Sequence, residues 1–321
     1  MTPSNLCVNN SEYVQSFKNV AKWVWEKTES AYQHGISLNE ETITGMILLM
    51  LAEKLKGKGL SVKSYTKAEE GRKIKKNQNT PTGADWSFWF QGRDGKGKEL
   101  RIQAKRLFAS GKYESLDNKK FRSQTHQLIK SSQKVGAIPL YVFYNGRMNN
   151  INPNFNLSYC CEAYGLSSLL DRNSLGVIES DVIDRVCCEL IHPIHSSLTG
   201  ILDISINSTN YWGCAFVSAH LVPKKSKPTP KDIPMIPWHC MFCSAHGKGG
   251  EQSLPEMVIQ SIKHLYSNNS SEDFSERLWS LDEPQPEWVG LLNSLNDNGN
   301  ERIDQKLKSL GLKGVALFQE I

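Results

Sequence analysis

Apolar residues recur every three to four positions over residues 11 to 33, where Val14, Phe17, Val20, Ala21 and Val24 share one side of a predicted helix. Gly35 ends that pattern. A second helix is predicted from Ser37 or Asn39, either of which can cap it, through EETITGMILLMLAEKLKGKG, with Ile43, Ile47, Met50 and Leu51 as a broad apolar face. GLSVKSYTK then alternates as a strand does, and the basic, polar EEGRKIKKNQNTPTG after it reads as a loop. Two further runs, ADWSFWFQ and KELRIQAKRLF, are joined by RDGKGK, whose Asp94-Gly95 predicts an antiparallel hairpin.

Helical spacing returns over residues 118 to 134, with Phe121, Leu128 and Ile129 facing inward and Gly136 as the stop. AIPLYVFYN follows as the nearly continuous apolar run of a buried central strand. Helix, strand, hairpin, helix and strand in that order predict an α/β domain whose mixed central sheet is flanked by helices. The pattern weakens beyond residue 150. Short helical stretches fall at 167–170 and 182–190, and NYWGCAFVSAHLV reads as a strand. A proline-rich connection, KKSKPTPKDIPMIP, leads to the compact PWHCMFCSAHGKGG. A helix over 254–266, an acidic loop at 282–287 and a helix–strand pair ending GVALFQEI close the chain. Residues 1–150 are thus expected to form the core domain, and 151–321 an α+β extension or a second domain.

A chain of 321 residues, 39% hydrophobic, can bury a sizeable core without covalent staples. No apolar run reaches 18 residues, and MTPSNLCVNNSEY lacks the basic and apolar regions of a signal peptide. A soluble cytoplasmic protein without a membrane partner is expected. The cysteines at 7, 160, 161, 187, 188, 214, 240 and 243 then read as reduced thiols. Charge is divided unevenly: residues 1–150 hold 25 Lys+Arg against 13 Asp+Glu, a net of +12, and residues 151–321 hold 13 against 20, a net of −7. The first half therefore suits a polyanion.

That half also carries the candidate chemistry. Asp85 opens its strand after the turn Pro81-Thr82-Gly83-Ala84, and Gln103 and Lys105 lie two apart on the partner strand, on one face, with Ile102 and Ala104 on the other. A carboxylate, an amide oxygen and an ammonium group thus meet within one hairpin. Phosphodiester hydrolysis needs a hard cation that takes such oxygen ligands. An ammonium beside the attacking water can orient or deprotonate it. On spacing alone, Lys105 reads more readily as an exposed strand lysine beside Arg101 and Arg106.

The arrangement resembles the PD-(D/E)XK nuclease superfamily, in which a helix glutamate is followed by an Asp and then by (D/E)XK on the next strand. The matching residues are Glu40-Glu41, Gly83-Ala84-Asp85 and Gln103-Ala104-Lys105, and the likeness covers residues 37–145. EETIT, GADW, QAKR and PLYVFYN, in that order, resemble an uncharacterised bacterial branch of the superfamily. Ala84 stands where a proline is usual. Gln103 stands where an acid is usual, a QXK variation also met in restriction enzymes of the Mrr type; it keeps a carbonyl ligand and removes one negative charge. The resemblance implies a restriction-endonuclease-like fold and a nuclease dependent on Mg²⁺ (or Mn²⁺). DNA is the expected substrate, with RNA as the other candidate, in a setting of antiviral defence with a homodimer or a defence partner protein. It implies Asp85, Gln103 and Glu40 as metal ligands, with Glu41 as the alternative acid, and Lys105 as the group beside the attacking water. Lys119, Lys120, Arg122, Gln124, Gln127 and Arg106 are the expected nucleic-acid contacts. Trp86 and Trp89 are expected in the core.

Two other functions fit the same sequence: a catalytically inactive nucleic-acid-binding protein on this fold, because Gln103 replaces an acid, and an interaction or sensor module acting through the acidic second half. His239, Cys240, Cys243 and His246 raise a structural Zn²⁺ site, but a single Cys-X-X-Cys makes buried thiols the stronger expectation.

Overall fold

A computed structural model describes residues 11–64, 82–114, 116, 119–147, 212–223, 227–242, 252–267, 276–294 and 297–320. Most of the loop expected at 69–83, the short helices expected at 167–170 and 182–190, and the side chains of Lys119, Lys120, Phe121 and Arg122 lie outside the described residues. So do Cys7, Cys160, Cys161, Cys187, Cys188, Cys243 and His246.

The first helix, α1, is Ser11–Gln33 and buries Phe17, Val20, Ala21 and Val24. Gly35, at φ +67°, ends its exit turn in the left-handed region that glycine enters without a Cβ clash. Helix α2 is Glu40–Lys54; Asn39 caps it, its side chain accepting from the Thr42 amide at 2.7 Å. Strand β1 is Leu60–Ser64, β2 is Trp86–Gln91 and β3 is Gly97–Arg106, the last two forming the expected antiparallel hairpin with Gly95 at φ +80° in its turn. Helix α3 is Lys119–Lys134 and β4 is Ile138–Tyr144, fully buried and parallel to β3.

The described parts of the second half join the same sheet. Strand β5 is Cys214–Ser218, and β6 is a two-residue strand, Ile236–Pro237, inside the proline-rich connection. Helix α4 is Leu254–Ser267, α5 is Glu287–Asn293, α6 is Asp297–Leu310, and β7 is Gly314–Gln319. Helix α5 begins where the acidic loop was expected to end; it has only seven residues, with Gly290 among them, too short for periodicity to register. The sheet order is β1-β7-β2-β3-β4-β5-β6, so the last strand of the chain inserts beside the hairpin, parallel to β2 and antiparallel to β1. The fold is thus a mixed α/β sheet with flanking helices.

The insertion is held by aromatic packing. Phe318 of β7 stacks on Phe90 at 4.6 Å between ring centroids and meets Phe88 edge-on at 5.1 Å. Phe17 of α1 and Trp238 extend the same core, in which Trp86 and Trp89 are buried as expected. Among the described residues no helix is long and apolar enough to cross a membrane.

Candidate functional site

Strand register assembles the site. β2 pairs with β3 at Trp86–Ile102 and with β7 at Trp86–Gly314. One residue earlier, Asp85 therefore lies beside Gln103 on one side and Lys313 on the other, and β4 adds Tyr141 opposite Gln103. Ammonium, carboxylate, amide and phenol form a row across four strands. Backbone bonds hold it at both junctions: the Asp85 amide donates to the Ile102 carbonyl at 2.8 Å, and the Lys313 amide donates to the Asp85 carbonyl at 2.6 Å.

The approach to Asp85 depends on Gly83, which sits at φ +77°. A Cβ there would fall 2.7 Å from the Gln124 carbonyl oxygen and the Leu128 amide of α3, so the chain can pass that close only with glycine. Thr82 is clamped on either side, its hydroxyl donating to the Leu310 carbonyl at 2.9 Å and its own carbonyl accepting from Ser131 at 2.7 Å.

Three donors converge on the Asp85 carboxylate. Oδ2 accepts from the Ala104 amide at 2.9 Å and, in a close contact, from the Gln103 side-chain amide, while the Lys313 ammonium lies 3.2 Å from Oδ1. Gln103 is buried, and its Oε1 accepts from Gln124 of α3. The Tyr141 hydroxyl shares a 2.7 Å hydrogen bond with Thr125, and burial pushes its pKa up to about 12, so it stays protonated. Gln127 lies half-exposed about one turn further along α3.

The two glutamates that sequence left as alternatives take separate places. Glu40 Oε1 accepts from the Arg106 amide at 3.1 Å, at the end of β3, and Glu41 pairs with Lys313 at 2.9 Å. Burial raises the Glu40 pKa and Asp85 adds to the rise, against the opposing pull of Lys105 and the Arg106 amide. Lys105, 5% exposed, is moved the other way: burial lowers its pKa, with Lys313 adding to the fall and Glu40 and Asp85 resisting it. Lys105 is thus a buried ammonium within the electrostatic reach of both carboxylates, not the exposed strand lysine that spacing alone favoured. The Arg106 guanidinium lies over the Phe108 ring, 4.4 Å from its centroid.

Lys313 is the site residue that sequence reasoning missed. Its pKa is raised: Asp85 and Glu41 outweigh the burial that would lower it. Its strand was predicted, but no local pattern says that this strand lies beside Asp85.

Asp85 and Glu40, with the Gln103 amide oxygen once turned toward them, are the residues that could hold Mg²⁺ or Mn²⁺, which need only one or two carboxylates and keep several waters. A half-turn of the Gln103 amide, matched by one in Gln124, would turn the carbonyl toward Asp85 and keep the bond between the two glutamines, while giving up the donations from Gln103 Nε2 to Asp85 and, at 3.1 Å, to the Ala104 carbonyl. Among the described residues no group of three or more His, Cys, Asp or Glu side chains is placed to hold a metal ion. His239 and Cys240 are buried, the Cys240 Sγ lying 3.9 Å from His239 Nε2.

The family model described as "Family of unknown function (DUF6615)" matches residues 13–320, nearly the whole described fold. No curated protein and no solved structure matches the chain.

Proposed function

The chain belongs to the family of unknown function DUF6615, and we propose that it is a metal-dependent nuclease hydrolysing phosphodiester bonds, in DNA before RNA. One observation carries the reading: the Asp85 and Glu40 carboxylates both act on the buried Lys105, and the Gln103 side-chain amide lies against Asp85. A bound Mg²⁺ or Mn²⁺ would supply Lewis-acid stabilisation of charge on the phosphoryl oxygens and an acidified water. Asp85, Gln103 and Glu40 would hold the ion. Lys105, with its pKa lowered by burial, releases a proton more readily than an exposed lysine and can orient or deprotonate the attacking water. The basic first half attracts the polyanion, and the first turns of α3 carry Lys119, Lys120 and Arg122. The likeness to PD-(D/E)XK nucleases extends the proposal to a cytoplasmic role in antiviral defence.

A second reading, a protein that binds nucleic acid without cutting it, is favoured by one feature: Gln103 and Lys313 already occupy the Asp85 oxygens. Purified protein is incubated with plasmid DNA, single-stranded DNA and RNA, each with Mg²⁺ or Mn²⁺ and each with EDTA. Cleavage that EDTA stops supports the nuclease. Salt-sensitive binding with every substrate intact supports the second reading.

A further inference from the structure

The Lys313 ammonium lies 3.2 Å from Asp85 Oδ1 and 2.9 Å from Glu41 Oε1. This ammonium bridges two carboxylates, one from the start of β2 and one from the first turn of α2, and so takes up an oxygen of Asp85, the carboxylate a divalent ion would need. Its backbone cannot leave, because β7 is paired on both sides and the Lys313 amide is bonded to the Asp85 carbonyl at 2.6 Å. Its side chain can: it is 34% exposed, and a flexible stem lets the ammonium keep Glu41 while releasing Asp85.

We propose that Lys313 is a built-in competitor for the divalent cation, bridging Asp85 and Glu41 when no ion is bound and setting the cation concentration at which the site loads. The proposal rests on the reading of Asp85 as a metal ligand. Geometry gives it direction. Lys313 is the cation in direct contact with both Asp85 and Glu41, whereas Lys105 and Arg106 act on Glu40, and Gln103 brings no negative charge where an acid would. Removing the Lys313 charge leaves Asp85 and Glu41 without a shared counterion, and a dication gains what the ammonium gave up.

The test is a calorimetric titration of the full chain with Mn²⁺ alone, comparing wild type with Lys313→Met, Lys313→Gln, Lys313→Arg and Asp85→Asn, each checked by thermal melting with and without Mn²⁺. Lys313→Met and Lys313→Gln are expected to bind Mn²⁺ about tenfold more tightly than wild type, the size of one partly screened charge at this range. Lys313→Arg is expected to stay within about threefold, and Asp85→Asn to lose binding. A wild type that binds weakly or not at all beside a tight-binding Lys313→Met is the same effect at its extreme. Folded neutral variants with unchanged or weaker Mn²⁺ affinity, or with no binding, overturn the proposal. Tighter Mn²⁺ binding without cleavage of any nucleic acid leaves the competitor in place and overturns the nuclease instead.

Discussion

Asp85 and Lys313, 228 residues apart, are joined twice: the Lys313 amide donates to the Asp85 carbonyl at 2.6 Å, and its ammonium lies 3.2 Å from Asp85 Oδ1. The backbone bond follows from the parallel pairing of β7 with β2. The side-chain contact follows from the backbone bond. The site is therefore complete only when the last strand is in the sheet.

Gln124 is the support for Gln103. If the Gln103 carbonyl turns to a cation, its NH₂ group faces residue 124 and needs an acceptor there. Gln124→Ala is expected to lower metal-dependent cleavage by about 10- to 100-fold, while Gln124→Glu, which offers that acceptor, keeps most of it. Single-turnover rates of the two variants decide. Equal losses in both would mean that residue 124 does not orient the amide.

A row of polar side chains runs along β3 beneath α3. Glu99 Oε1 accepts from Ser87 at 2.7 Å and from Arg101 Nε at 3.2 Å, and Arg101 donates onward to the Ser131 carbonyl at 3.1 Å. Glu99 and Arg101 are both buried. Glu99→Ala leaves Arg101 without its counterion and should cost about 3–5 kcal/mol in urea unfolding, and replacing both residues by Met should recover much of that. A cost below about 1 kcal/mol for Glu99→Ala would show the pair to be well solvated.

This row also marks where sequence reasoning reached its limit. Glu99, Arg101, Gln103 and Lys105 alternate with Leu100, Ile102 and Ala104, the period of a strand with one wet face. The strand, its hairpin and the shared face of Gln103 and Lys105 were all legible. That the polar face would be buried was not, because α3 covers it with Gln124, Thr125 and Ser131 rather than with an apolar stripe. The sequence also kept Glu40 and Glu41 as alternatives, since both stand in one helical turn; the fold uses one against β3 and the other against Lys313. Lys313 itself depends on a pairing between strands more than 200 residues apart in sequence, which no local period encodes.

Lys98 is fully buried, its ammonium donating to the Ser280 carbonyl at 2.8 Å and to the Arg277 carbonyl at 3.3 Å. Burial pushes its pKa down to about 8, with Arg277 adding to the fall and Glu283 and Glu99 opposing it. Between about pH 8 and the ordinary 10.5, the unfolded chain holds a proton that the folded protein has released, so stability from this group rises with pH across that window. Below it both states are protonated and the burial cost is carried in full. Denaturant unfolding at pH 7.5, 9 and 10 should show wild type gaining on Lys98→Met by up to about 1.4 kcal/mol per pH unit. Parallel pH profiles for the two proteins would place the Lys98 pKa at its ordinary value.

Metal-dependent phosphodiester hydrolysis is proposed to rest on Asp85 and Lys105. It is tested most directly by single-turnover cleavage of plasmid DNA in Mn²⁺ by wild type, Asp85→Ala and Lys105→Ala, each shown by melting to be folded. Wild type is expected to cleave in an EDTA-sensitive way, and each variant to lose at least about 100-fold. Cleavage at the wild-type rate by both variants would contradict it.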